Sequence, residues 1–417
     1  MMIREANELA LARINAAEPT LVDVVQARDV LPEDDRVIYH AGPPLAWEQM
    51  CGPLQGAILG VCVYEAWADD LDEARQLVDS GAIKFRHNHS ASIVGPMTGM
   101  VSPSMPLIKV ENRAFGNVAY STFNEGIGKV MRFGANDAEV LNRLRWLAEE
   151  FGPAVKAAIA SAGSIDLRVI IAKAIAMGDE LHQRNIAASA LFFREIMPHI
   201  TRTCTDIDVI ERISSFLYTN DQFFLNLAMA SAKASIDPIK NIEYCTLVSA
   251  MSRNGTNFGI KVSALGDQWF EAPVEMPQGL YFPGFTQEDA NPDIGDSAIV
   301  ECVGFGGMSM AAAPAVTQFV GIDGSKAAYD ITHKMFTITE GRSQTYTVPT
   351  IDFIGIPVGI NIIDVVESGT RPYINSGIAH REPGVGQVGA GVVYPPMKCF
   401  EQALQAFADK YSKDLSL

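Results

Sequence analysis

Apolar positions along this chain change texture twice. The first residues carry a helical amphipathic pattern, and a polar stretch within 1–35 leads to a short β-rich run, Arg36–His40. That run ends in the breakers His40-Ala41-Gly42-Pro43-Pro44, a setting in which α/β folds place ligand groups. Gly56–Tyr64 fits a buried strand or a helix equally well, whereas Asp69–Asp79 reads as a short helix. A second breaker region runs from His87-Asn88-His89 to Gly99; Leu107–Glu111 then reads as a strand, and the glycine-rich segment Asn124–Gly134 closes this part.

From Asn136-Asp137, a double helix-start signal, the pattern turns helical. Leu141, Leu144, Leu147, Ala148 and Phe151 form one stripe, which Gly152-Pro153 is expected to end. Further helices are expected at 153–161, 165–177, 180–197, 206–218 and 221–235. Beyond about residue 240 the chain is β-rich again. Tyr244–Met251, Gly259–Ser263, Gln268–Ala272 and Ala298–Val303 read as strands, with Asn254-Gly255 as a hairpin turn between the first two. Ala327–Lys334 looks helical, Thr345–Val348 and Gly355–Ile360 extended, and Met397–Tyr411 forms a closing helix. The expected fold class is mixed α/β (α+β): two irregular α/β domains, 1–135 and 239–417, bridged by a small helical domain, 136–238, with a cleft between them.

Composition narrows the function. A formal net charge of −17 argues against binding nucleic acid or anionic membrane, because like charges repel. No apolar run approaches the ~18 residues that a membrane helix needs, and the polar, acidic start is unlike a signal peptide. A cytoplasmic protein is therefore expected. Hydrophobic residues make up 48%, enough to reserve apolar surface for a partner, so a homo-oligomer is expected of the isolated chain. Cysteines 51, 62, 204, 245, 302 and 399 never form CxxC, and neither a metal nor a cofactor is expected.

Candidate chemistry gathers in a few strings. Asp179, Glu180, His182, Gln183, Arg184 and Asn185 crowd together within an otherwise apolar helical block. On a helix, Asp179, His182 and Gln183 share a face; the plainer alternative makes Asp179 a cap and Glu180–Arg184 a surface pair. Lys129 and Arg132, set among Gly126, Gly128 and Gly134, suit an anion or a solvated turn. Asp293 and Asp296 suit a divalent cation or, more simply, turn closure. Gly304–Gly307 is a candidate backbone nest, and Asn375, Ser376 and His380 sit at a strand end. Gly384-Val385-Gly386-Gln387-Val388-Gly389 matches the dinucleotide fingerprint in letters only. Pro383 precedes it and Pro395-Pro396 follow, where a strand and a helix are required. No GxSxG is present, so covalent hydrolase chemistry has no support.

These strings together, HAGPP (40–44), NEGIGKVMRFGA (124–135), MGDELHQRN (177–185), FFLNLAMA (223–230), DANPDIGDSAI (289–299) and NSGIAHREPGVGQVGAG (375–391), resemble the YlbE/YahG-type bacterial family. The resemblance spans nearly the whole chain. It implies two unusual α/β domains with a small helical one, and a subunit of an oxamate carbamoyltransferase in allantoin and purine breakdown. The partners implied are an FdrA-like protein, itself similar to acyl-CoA synthetases, and a further small subunit; a non-catalytic scaffold in such a complex is the alternative. The implied reaction joins oxalurate and phosphate to give oxamate and carbamoyl phosphate, or runs in reverse. A small anionic substrate assigns Lys129 and Arg132 to phosphate or carboxylate. His182, oriented by Asp179, would move the proton, with His40 or His380 as competitors. Asn185 and the Gly304–Gly307 loop, notably Gly306 and Gly307, would polarise the carbonyl, with Asn375 as a further binding residue.

Overall fold

The computed structural model describes residues 2–32, 36–318, 320–321 and 324–415; Met1 and the end of the polar stretch before Arg36 lie outside them. At its centre is helix Phe224–Ile236, buried on every face, Asn226 and Lys233 included. Such all-round burial is possible because the Asn226 amide and the Lys233 ammonium are partnered. Asn226 donates to the Thr122 carbonyl, and Lys233 pairs with Asp237 at 2.8 Å.

One flank of this helix carries an antiparallel sheet ordered Val118–Thr122, Pro106–Asn112, Pro19–Gln26, Ile165–Asp166. Pro19–Gln26 falls in the stretch read as polar connection. Its register shifts between Leu21 and Asp23, and that bulge breaks the alternation by which strands are recognised. Beside this sheet, Val37–His40 pairs in parallel with Lys84–His87, setting His40 opposite His87.

The other flank holds a sheet ordered Ile294–Gly295, Val248–Asn254, Asn257–Val262, Phe270–Pro273, with its turn at Asn254-Gly255 as expected. Gln278–Tyr281, Gln387–Val393 and Ile374–Ala379 form a second sheet, and Thr339–Val348 with Ile354–Ile360 a long hairpin. The first helix, Met2–Asn15, lies against this half: Asn7 donates to Thr246 Oγ1. The fold is mixed α/β, and no helix among the described residues is long and apolar enough to cross a membrane.

Several local expectations need correction. Gly152-Pro153 does not end its helix; a wide π turn at Leu147–Phe151 carries Ala138–Trp146 straight into Gly152–Ala162. Pro153, which has no N–H to give, follows this wider turn, where the regular ladder is already interrupted. Pro198 likewise lies inside helix Ile186–Thr203. Gly56–Tyr64 resolves as helix Gly52–Tyr64, and Ala298–Val303 is no strand but the short buried helix Ile299–Cys302.

The largest correction concerns 177–185. These residues form a tight loop between helices Leu167–Ala176 and Ile186–Thr203, so no helical face is shared by Asp179, His182 and Gln183. Gly178 and Leu181 take positive φ, 102° and 70°. The loop is held by its own carboxylates: Glu180 accepts from the backbone N–H groups of His182 and Arg184, and Asp179 from that of Ala188. Acidic side chains that bond nearby backbone compete with helix formation and cap the helix that follows.

Candidate active site

Five of the sequence-distant strings line one cavity of about 390 Å³, whose polar walls are Arg132, His182, Gln183, Gln222, Ser297 and Gln387. A larger space of about 500 Å³ shares Pro96 and Arg132 with it and is walled mainly by apolar groups such as Met100, Met105, Phe123 and Leu144. Groups able to move a proton and hold an anion meet in the smaller cavity.

His182 is buried, and its Nδ1 lies 2.7 Å from Glu301 Oε1. A hydrogen bond from Nδ1 to the carboxylate fixes that tautomer and leaves Nε2 as the acceptor. Glu301 Oε1 also accepts from the Gly307 N–H at 3.0 Å. Asp179 therefore does not orient His182. It lies 3.4 Å from Arg184 Nε, and burial pushes its pKa up to about 6 against the opposing Ala188 N–H and Arg184. Glu180 is raised further, to about 7, again chiefly by burial. Sequence reasoning assigned Glu301 no role. The available signal was a lone carboxylate inside the apolar run Ala298–Val303, too costly to bury without a partner.

Arg132 is buried except for 8% of its surface. Its Nε and Nη2 donate to the Gly126 carbonyl at 2.9 and 2.7 Å, and the guanidinium stacks on Phe133. Burial lowers its pKa to about 10, opposed by Glu125, so it stays cationic near neutrality. Glu125 shapes the turn by accepting from the N–H groups of Met131 and Arg132. Lys129 parts company with Arg132. It is exposed, absent from the cavity wall and bonded to Asp137 at 2.5 Å.

Asp293 and Asp296 are buried and committed to protein donors. Asp296 accepts from Gly42 N, Gly95 N, Asn88 Nδ2 and Ser252 Oγ, with His89 Nε2 at 3.4 Å. Burial opposes its ionisation, yet these donors, His89 and Ser252 foremost, bring its pKa down to about 2. Asp293 binds Arg253 at 2.6 Å, tying the loop before Ile294–Gly295 to strand Val248–Asn254. Among the described residues no cluster of three or more metal-ligating side chains occurs.

The remaining candidates lie off the cavity or are already engaged. His40 Nδ1 donates to the Ala41 carbonyl at 2.7 Å, and burial lowers its pKa. His380 Nδ1 accepts from the Glu382 N–H, so its basic nitrogen is occupied, and its ring is absent from the cavity wall. Asn185 spends its amide on the His182 carbonyl and Gln222. Asn375 is buried with its amide on Met310 Sδ. The Gly304–Gly307 nest is filled from within: Gly306 donates to the Glu180 carbonyl and Gly307 to Glu301. Turning these amides to a ligand would break the bonds that hold His182 and Glu301 together. The GxGxxG letters end one strand turn and begin strand Gln387–Val393, with no helix following.

The molecule is thus a mixed α/β protein with a small polar cavity built around a buried histidine–glutamate pair and an arginine, equipped to hold a compact anion and move a proton. The chain belongs to the family described as oxamate carbamoyltransferase subunit AllG, whose model matches residues 83–297. It is 48% identical to the oxamate carbamoyltransferase subunit AllG of Escherichia coli (strain K12) over 410 residues, 98% of each chain. It is 42% identical to the uncharacterized protein YahG of the same organism, covering 98% of this chain and 87% of that one. Among solved structures, a conserved protein of unknown function from Enterococcus faecalis V583 superposes with a TM-score of 0.95, at 41% identity and 98% coverage of both chains.

Proposed function

We propose that this chain is a subunit of an oxamate carbamoyltransferase and that the reacting molecules occupy the cavity beside His182. In the direction of carbamoyl phosphate formation, a phosphate oxygen bonds to the ureido carbonyl carbon of oxalurate. The carbon–nitrogen bond to the oxamate half then breaks. The hydrogen phosphate proton ends on the departing nitrogen, so oxalurate and hydrogen phosphate become carbamoyl phosphate and oxamate with atoms and charge conserved.

In this reading His182 Nε2 carries the proton, with Glu301 stabilising the imidazolium formed on the way. Arg132 neutralises phosphate or the oxamate carboxylate at close range, a task for which a buried guanidinium is suited. An FdrA-like protein and a further small subunit complete the complex, which works in purine and allantoin breakdown in the cytoplasm. The observation that carries the reading is the meeting of His182, backed by Glu301, and Arg132 on one cavity wall.

The test is reconstitution of the complex with wild-type chain, His182→Ala and Arg132→Ala, following carbamoyl phosphate formed from oxalurate and phosphate. Both variants are expected to lose at least about 100-fold in rate. Activity within about tenfold of the parent removes those residues from the chemistry and leaves this chain as a scaffold.

A further inference from the structure

We propose that Ser297 donates the hydrogen bond that polarises the ligand carbonyl in the His182 cavity, and that the buried Arg253–Asp293 pair exists to aim it. The identity of that ligand rests on the carbamoyl-transfer reading. A donor other than those expected from the sequence is required, because the amides of Asn185, Gly306 and Gly307 are engaged inside the protein.

Arg253 is fully buried on strand Val248–Asn254. Its Nε binds Asp293 at 2.6 Å, Nη1 donates to the Gly295 carbonyl at 2.9 Å and to Ser297 Oγ at 3.2 Å, and Nη2 donates to Ser376 Oγ at 3.2 Å. Two serines thus share one guanidinium, and their protons have different fates. Ser376 gives its proton to Asp293 Oδ1 at 2.6 Å. Ser297 has no acceptor for its proton among the described residues, is 2% exposed, and lines the cavity. A hydroxyl accepting from a cation turns its own proton away from that cation. Here the cavity is the side left to it.

The pairing also makes physical sense of a costly element. A buried guanidinium and carboxylate seldom stabilise a fold more than apolar side chains of the same shape, so their retention points to a positional role. The guanidinium draws charge from Ser297 Oγ and makes its O–H a better donor. As phosphate attacks, negative charge grows on the carbonyl oxygen, and that hydrogen bond strengthens; Ser297 forms no covalent bond and keeps its proton. Ser297 touches the ligand, whereas Arg253 acts through it as a positioning residue.

Ser297→Ala and Ser297→Thr are compared in two assays: oxamate binding to the isolated chain by calorimetry, and turnover of the reconstituted complex. Ser297→Ala is expected to lower kcat about 100-fold with KM for phosphate within about threefold, and to weaken oxamate about tenfold. Ser297→Thr, which keeps the hydroxyl, is expected to recover most of both. Arg253→Gln should cost as much as Ser297→Ala, and the double variant no more than Arg253→Gln alone; if Arg253→Gln does not fold, the two Ser297 variants decide. Equal damage in the alanine and threonine variants, or alanine values within about twofold of wild type, overturns the role of Ser297. A complex that does not turn over while Ser297→Ala still weakens oxamate overturns the reaction and keeps the donor. No oxamate binding by wild type and no turnover overturns both.

Discussion

His182 and Glu301, 119 positions apart, meet in the interior with Nδ1 2.7 Å from Oε1. The same carboxylate oxygen receives the Gly307 N–H, so one side chain fixes both the imidazole and the glycine loop behind it.

Removing that carboxylate has two separable consequences. Glu301→Ala strands the Gly307 N–H and His182 Nδ1 in the interior, a loss of about 2–4 kcal/mol expected in urea unfolding. Glu301→Gln keeps the volume and an acceptor but not the charge; it should unfold near wild type while the reconstituted complex slows by roughly 100-fold. Equal turnover in wild type and Glu301→Gln denies the carboxylate its part in proton transfer.

Gly306 tests the same contact by shape. Its φ is +61°, and a methyl group there would stand 2.0 Å from Glu301 Oε1 and 3.0 Å from His182 Cβ. Gly306→Ala must therefore push Glu301 off His182 as well as strain the backbone. Lowered melting temperature and lost turnover should appear together. A variant with parental melting temperature and rate contradicts this packing.

Stability should fall with rising pH between about 4.5 and 7. Burial raises Glu180 to about 7, so the folded protein holds a proton there that the unfolded chain has released. Asp179, raised to about 6, acts in the same sense from its ordinary value upward. Each contributes on the order of 3 kcal/mol, present below the unfolded pKa and lost as pH climbs through the folded one. Asp296 has the opposite sign: its stabilisation is present above its ordinary value and lost as pH falls toward 2. Unfolding free energies measured from pH 5 to 8 should show the decline, and Glu180→Gln should flatten it.

Arg132 and Lys129 should separate cleanly. Arg132→Ala removes the cavity's cation and its bonds to the Gly126 carbonyl, so phosphate and oxamate should no longer raise the melting temperature. Lys129→Ala breaks only an exposed pair with Asp137, so the melting temperature should be nearly unchanged and KM should stay within about twofold of wild type. Anion binding lost equally in both variants reinstates Lys129.

Local chemistry made much of the secondary structure legible. Asn254-Gly255 marks a hairpin because Gly255 takes a positive φ of 79° and Asn254 Oδ1 accepts from the N–H groups of Thr256 and Asn257, and Asp137 starts a helix by accepting the Val140 N–H. Where side-chain bonds to the backbone or a bulge interrupt that periodic pattern, the reading fails. The 177–185 loop has helical composition, yet Glu180 and Asp179 bond backbone N–H groups ahead of them. Strand Pro19–Gln26 hides because its bulge puts its side chains out of alternation.

Residue order alone determined the mixed α/β class, the family resemblance, and which strings hold unusual polar density, because each is written in neighbouring residues. Only the folded chain decided which polar groups remain for a ligand. Asp179, Asn185, Gly306 and His380 are occupied by partners near and far, whereas Arg132, His182 and Ser297 face one space. The reason is that hydrogen-bonding capacity is finite. Whether a donor or acceptor is free depends on every atom brought against it, and some of those atoms come from positions more than a hundred residues away.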